Sequence, residues 1–137
     1  RHFDSVFLPA LYKLLFEQDQ AVQVELRAQV TEGFEFLEQR LATIQGDGPF
    51  WLGGDMSLAD ASMWPFFERL GVFEHYRDLV LPSTCLRLHR WFEAVAEYTS
   101  VQSTAHDLEY FLPRYTHYAN GTADGLSAQA FRRGTAN

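Results

Sequence analysis

Apolar residues recur along this chain at helical rather than strand spacing. Phe3, Val6, Phe7, Ala10, Leu11, Leu14 and Leu15 fall at i, i+3, i+4, i+7, i+8, i+11 and i+12, one stripe of a 3.6-residue helix. Pro9 lies inside the stripe and predicts a kink, unless the helix takes its first turn near residue 8. A second stripe, Val22, Leu26, Val30, Phe34, Leu37, Leu41 and Ile44, predicts a helix from about Gln20 to Gln45 with Asp19 as N-cap. Glu25, Arg27, Glu32, Glu35, Glu38 and Arg40 occupy its other face and read as solvated surface. Gly33 costs this helix ~1 kcal/mol against Ala, which close packing on a neighbour would explain.

Gly46-Asp47-Gly48-Pro49 stops that helix, and Phe50 to Asp55 reads as an apolar extended link ending in a turn. A third helix is expected to start at Ser57 and run to Leu70, with Gly71 as its C-cap. Ser57 and Asp60 form a capping box, and Met56 can staple onto Ala61. Ala61, Met63, Trp64, Phe66, Phe67 and Leu70 leave this helix little polar face, so it belongs in the middle of a bundle. Its first-turn N–H groups then depend on the box rather than on water. Pro82-Ser83-Thr84 opens a fourth helix with the stripe Leu88, Trp91, Phe92 and Val95, and Thr99-Ser100 breaks the pattern. A last helical region spans about Val101 to Tyr118, interrupted by Pro113. The fold class is therefore all-α, about five helices over residues 1–118. Residues 119–137, small and polar, are expected to form a flexible tail.

Composition narrows the partners. The 137 residues are 47% hydrophobic and 15% aromatic, enough for one packed core. A net charge of −7 without a basic stripe argues against nucleic acid and against an anionic membrane surface. No apolar run approaches the ~18 residues of a membrane span. Cys85 is the single cysteine, which fits a reducing, cytoplasmic setting. The chain opens at Arg1 inside an amphipathic pattern with no signal-peptide pattern, so a piece of a longer protein is expected.

The apolar-Gly-Gly-Asp-x-Ser-x-x-Asp run through Asp60 resembles the C-terminal domain of glutathione transferases, where such a box begins the buried central helix. Trp64-Pro65-Phe66-Phe67-Glu68-Arg69-Leu70 is similar to the omega class in particular. Leu86 to Phe92 resembles the Trp-bearing helix that follows, and the likeness spans roughly residues 3–118. The resemblance implies a glutathione-dependent thiol transferase or reductase whose thiolate and glutathione site lie mainly on an upstream thioredoxin-like domain, outside these residues. No catalytic residue is then expected in this chain, and glutathione is the co-substrate. What this domain would supply is the wall for a small electrophilic or oxidised acceptor: Pro9, Tyr12 and Phe16, then Arg69, then Leu108, Phe111 and Tyr115. Position 108 usually carries Trp in animal omega enzymes; Leu108 keeps the apolarity and loses the indole. Arg69 reads either as a cation at a helix C-terminus or as a group facing the pocket that could hold a carboxylate.

Other chemistry is thinly signalled. Cys85 at the start of the fourth helix could be acidified by the helix dipole, but reads first as a small half-buried residue. The histidines at 2, 75, 89, 106 and 117 show no metal spacing, and no metal is expected. The full-length parent is a possible homodimer, with its own thioredoxin-like domain as this domain's partner. A second reading takes the same domain as a non-catalytic docking module, as in the elongation factor 1 gamma subunit and synthetase-associated proteins.

Overall fold

The computed structural model describes residues 1–44 and 46–135, the side chain of Thr135 excepted. Gln45, where the second helix was expected to end, and the last two residues of the expected tail lie outside the described residues. A π-helical turn, Phe3–Phe7, runs into α1 (Leu8–Phe16). There follow α2 (Gln20–Ile44), α3 (Leu58–Glu68), α4 (Leu70–Arg77), α5 (Leu86–Ala96), the single turn α6 (Thr99–Gln102), α7 (Leu108–Ala119) and α8 (Leu126–Thr135). Among the described residues there is no strand; Phe50 pairs with Gly53 in an isolated bridge. The fold is all-α.

The first helix avoids the predicted kink at Pro9. The wide turn over Phe3–Phe7 absorbs the change, and Pro9 stands at the start of α1, where its fixed φ suits the helix. Asp19 caps α2 as expected, its Oδ1 accepting from the backbone N–H of Ala21 at 2.9 Å and of Val22 at 3.2 Å. Leu26, Val30, Phe34, Leu37 and Leu41 face the core, whereas Ile44 leaves the stripe and is exposed. Gly33 is explained by contact: a Cβ there would stand 2.6 Å from Cδ2 of Phe7.

The core interleaves aromatic rings with leucine and valine side chains. Phe67 meets Trp91 edge-on at 4.8 Å, and Phe7 meets Phe34 at 5.2 Å. Within it sits Asp60, 0% exposed. The capping box with Ser57 forms. Oδ2 of Asp60 accepts from the Ser57 N–H at 2.8 Å and the Ser57 hydroxyl at 2.6 Å. Oδ1 accepts from the Trp51 N–H at 2.9 Å and from Trp91 Nε1 at 2.8 Å. One carboxylate thus joins the apolar link, the start of α3 and the middle of α5. Burial pushes its pKa upward, but the hydrogen bonds from Ser57, Trp51 and Trp91 outweigh burial and hold it below the usual carboxylate value.

The structure corrects several boundaries. The third helix ends at Glu68 rather than Leu70, because Arg69 adopts φ −92° and ψ 6° and a new helix starts at Leu70. Gly71 is therefore no C-cap. It lies in the first turn of α4, where a Cβ would stand 3.0 Å from Cδ1 of Leu108. The left-handed stop comes at Asp78, φ 52°, a short polar side chain that tolerates that region. Pro65 and Pro113 lie inside α3 and α7, so Pro113 does not interrupt its helix. Each proline frees the carbonyl four residues earlier, and both residues concerned, Ala61 and Glu109, are exposed to water. The break expected at Thr99-Ser100 falls just before it, α5 ending at Ala96 and Tyr98 being extended, and Thr99 begins α6; Asp107 starts a separate α7 by accepting from Tyr110 N–H at 2.9 Å.

The polar composition beyond residue 119 misled in one respect. α8 forms there, burying Ala128 and stacking Phe131 on Phe16 at 4.5 Å between ring centroids, 6° from parallel. The Phe131 stack and the burial of Ala128 seat this helix on the bundle, and composition does not register such packing. Glu38, read as solvated surface, instead caps α5 from α2. Its carboxylate accepts from the backbone N–H groups of Arg87 and Leu88, each at 2.9 Å, at the positive end of that helix.

Candidate functional site

The cleft is built where α1, the α3–α4 junction, α7 and α8 meet. It encloses about 480 Å³. Tyr12, Leu15 and Phe16 line it from α1, Arg69 from the junction, Tyr110, Phe111, Arg114, Tyr115 and Tyr118 from α7, and Ser127 and Phe131 from α8. Tyr12 and Phe16 project from one face of α1 because they are four residues apart, and Phe111, Tyr115 and Tyr118 share a face of α7 by the same spacing. Residues widely separated in sequence therefore meet: Tyr12, Phe16, Arg69, Phe111 and Tyr115 from the expected set all line one cleft.

Two expected members do not. Pro9 is exposed and lines a different groove, with Ser5, Val6 and Lys13, on the side of α1 that faces α2. Leu108 is 42% exposed and lies over Gly71 at the start of α7, one turn before the cleft. Sequence reasoning missed Leu15, Tyr110, Arg114, Tyr118, Ser127 and Phe131. For Arg114 and Tyr118 a signal was available, since each lies three residues, about one helical turn, beyond Phe111 and Tyr115 respectively. For Ser127 and Phe131 none was, because α8 was not foreseen.

Arg69 stands both at the end of α3 and at the cleft wall. Its Nη1 donates to the carbonyl oxygen of Pro65 one turn back, relieving the C-terminal end of α3. Its guanidinium also lies over the ring of Phe111, Cζ 5.0 Å from the centroid, at the cleft wall. Burial raises the pKa of the Tyr12 phenol; Tyr115 raises it further and Arg69 opposes. Burial likewise raises that of Tyr115, against the pull of Arg69. Both phenols are therefore neutral hydroxyls near pH 7, able to donate hydrogen bonds and unsuited to act as nucleophiles. The cleft can hold an apolar body and hydrogen-bond its oxygens. It holds no thiol: Cys85 is buried in the core at the start of α5, where burial first, then Glu38 and Glu35, push its pKa up.

The geometry of the cleft depends on Arg77, which sequence reasoning passed over. It is 7% exposed and faces the ends of two helices. Nε donates to the Leu14 carbonyl at 2.8 Å; Nη2 donates to those of Leu15 at 2.5 Å, Glu17 at 3.1 Å and Ala119 at 2.6 Å. The negative ends of α1 and α7 thus converge on one guanidinium, which offsets its desolvation and fixes the two aromatic walls relative to each other. Burial lowers its pKa, and Glu17 works against that. Tyr76 adds a second tie from α4 to α7, donating to the Leu112 carbonyl at 3.0 Å and lying 2.8 Å from Thr116 Oγ1.

No group of side chains among the described residues has the donors for a metal ion. No helix among them is long and apolar enough to cross a membrane. Searches of curated proteins and of solved structures each return no match. Residues 19–94 match the family model described as Glutathione S-transferase, C-terminal domain. That match runs from the N-cap of α2 into α5 and includes the Asp60 knot, Arg69 and Arg77, while the α1, α7 and α8 walls of the cleft lie outside it. Covering more than half of the 137 residues, it places the chain in the glutathione S-transferase C-terminal domain family.

Proposed function

We propose that this domain forms the acceptor side of the active site in an omega-like, glutathione-dependent thiol transferase or reductase. The observation that carries the reading is the convergence of Tyr12, Phe16, Arg69, Phe111 and Tyr115 on one cleft. They are five of the seven residues that the omega-class resemblance implied for the acceptor wall, Pro9 and Leu108 being the other two. The cleft is aromatic and lacks strand backbone for a peptide-like ligand, so it suits the acceptor rather than glutathione. Glutathione, the co-substrate, is held by a thioredoxin-like domain of the parent protein, where it supplies the reducing thiol.

This chain's own residues bind and orient. Phe16 and Phe111 take the apolar body of a small electrophilic or oxidised acceptor, and Tyr12 and Tyr115 offer neutral O–H donors to its oxygens. Closing aromatic walls round the acceptor keeps water from the sulfur exchange, which passes through a mixed disulfide on the parent's thiolate. The setting we infer for the parent is the cytoplasm. Support for that setting is the single cysteine, buried and unpaired.

The test is glutathione-dependent reduction of 2-hydroxyethyl disulfide, assayed with this chain alone and joined to its native upstream sequence. We expect turnover with the upstream sequence and none from the 137 residues by themselves. No turnover in either form would transfer the domain to the docking-module reading, and robust turnover by the isolated chain would overturn the division of labour.

A further inference from the structure

The connection between α7 and α8 carries a chemically reactive pair. Asn120 is followed by Gly121, and a side-chain amide is most open to attack by the next backbone nitrogen when that residue has no side chain in the way. Asn120 and Thr122 are exposed, so water can enter and ammonia can leave. The amide is gripped by its oxygen. Oδ1 of Asn120 accepts from the Thr122 hydroxyl at 2.6 Å and from the Thr122 N–H at 3.1 Å. Nδ1 of His117 lies 2.8 Å from the same hydroxyl. That hydroxyl has one proton and directs it at Asn120, so Nδ1 is the donor in the contact with His117. The donors running from His117 through Thr122 polarise the amide carbonyl and point at the oxygen on which negative charge develops during attack.

Asn120 has ψ 3°, which turns the Gly121 nitrogen away from Cγ. Ring closure therefore needs the peptide between the two residues to swing. That peptide is weakly tethered: its N–H reaches the Tyr118 carbonyl at 3.4 Å, whereas the N–H groups of Thr122 and Ala123 each reach the His117 carbonyl at 2.9 Å. Turning ψ of Asn120 against φ of Gly121, which stands at 75°, swings the plane and leaves both flanks in place. Glycine permits that motion.

We propose that Asn120 is a self-modification site, converted without an enzyme to aspartate and isoaspartate, and that the change loosens α8. The Gly121 nitrogen gives its proton to hydroxide and bonds to Cγ; the Cγ–Nδ2 bond breaks, and ammonia leaves with a proton from solvent. Water then opens the cyclic imide at either carbonyl, so the amide is exchanged for an acid and no electrons are transferred. Isoaspartate routes the main chain through the side-chain carbon and lengthens it. Either product sets a carboxylate at the negative end of α7, beside the Ala119 carbonyl that Arg77 and Gln18 hold. The altered link then pulls on α8, which Phe131 and Ala128 seat on the bundle.

The purified chain, folded in buffer or unfolded in guanidinium, is held at pH 8 and sampled over days. Mass spectrometry of the tryptic peptide from Tyr115 to Arg132 reads the conversion, and an isoaspartyl methyltransferase counts the isoaspartate. The folded chain is expected to convert within about tenfold of the unfolded rate. Thr122→Val should slow the folded chain about three- to tenfold, the rate equivalent of one hydrogen bond. A hydroxyl that merely braced the loop would act in the opposite sense, since its loss would free Asn120 and speed conversion. Trypsin acting on the native protein should cut after Arg132 at least about threefold faster in aged than in fresh chain. A folded rate more than about tenfold below the unfolded one, an unchanged or faster Thr122→Val, or equal cleavage of fresh and aged chain would overturn the proposal.

Discussion

Replacing Asp60 with Asn changes one atom of a fully buried side chain that accepts four hydrogen bonds. Asn keeps an oxygen for two of the four donors, best used on Trp51 N–H and Trp91 Nε1, which approach Oδ1 at 2.9 and 2.8 Å. Its NH₂ then faces the Ser57 N–H, a donor that approached Oδ2 at 2.8 Å, and the Ser57 hydroxyl must turn away from its 2.6 Å contact. Hydrogen bonds to a charged acceptor contribute about 1.5–3 kcal/mol each, and a stranded buried donor costs about 1–3 kcal/mol. Against this stands the relief of no longer burying a carboxylate, worth several kcal/mol. The balance is a loss of about 3 kcal/mol, which lowers Tm by roughly 10 °C for a chain of this size. Urea unfolding followed by tryptophan fluorescence and far-UV circular dichroism measures it directly. The pH dependence carries a second signature. Because the folded pKa lies below the unfolded value of about 4, the stabilisation is complete above that value and is lost as pH falls through the folded pKa. The gap between wild type and Asp60→Asn should therefore narrow below about pH 4. A variant within about 1 kcal/mol of wild type at pH 7, with an unchanged acid limb, would refute the claim that this carboxylate knits the core.

Three further outcomes follow from the packing. Arg77→Met leaves the carbonyls of Leu14, Leu15 and Ala119 without their donor and should cost about 2–4 kcal/mol, with Arg77→Lys intermediate because an ammonium cannot fork across both helix ends; chemical denaturation ranks the three. Gly33→Ala should destabilise by about 1–3 kcal/mol in spite of alanine's better helix propensity, since its Cβ would press on the Phe7 ring, and the paired Phe7→Leu change should recover part of the loss. Cys85 should stay unmodified by Ellman's reagent at pH 8 in the folded chain and react at once in denaturant, because burial and two glutamates disfavour its thiolate.

What could be read from the residues was whatever depends on short spacing. The α2 stripe, the Asp19 cap and the Ser57–Asp60 box all rest on neighbours within one or two turns, and each appears in the structure. What stayed hidden depends on distant partners. Glu38 looks like any surface glutamate until α5 arrives at its carboxylate. Arg77 looks like a solvated cation until the ends of α1 and α7 converge on it. Gly71 carried a local stop signal, yet the helix restarts through it to Arg77, with Leu108 packed where a Cβ would stand. The same limit explains the site. The family resemblance named Tyr12, Phe16, Phe111 and Tyr115, which the fold brings to one cleft, but the α8 wall depends on a helix that the polar composition did not announce.

The central claim is that this cleft holds the acceptor and not glutathione. Steady-state kinetics of the protein carrying its native upstream sequence, with Phe111→Ala and Tyr115→Phe, tests it most directly. The account predicts a KM for the disulfide or electrophilic acceptor raised about 5- to 50-fold while the KM for glutathione stays within about twofold. A change in the glutathione KM of the same size, or no change in either, would contradict it.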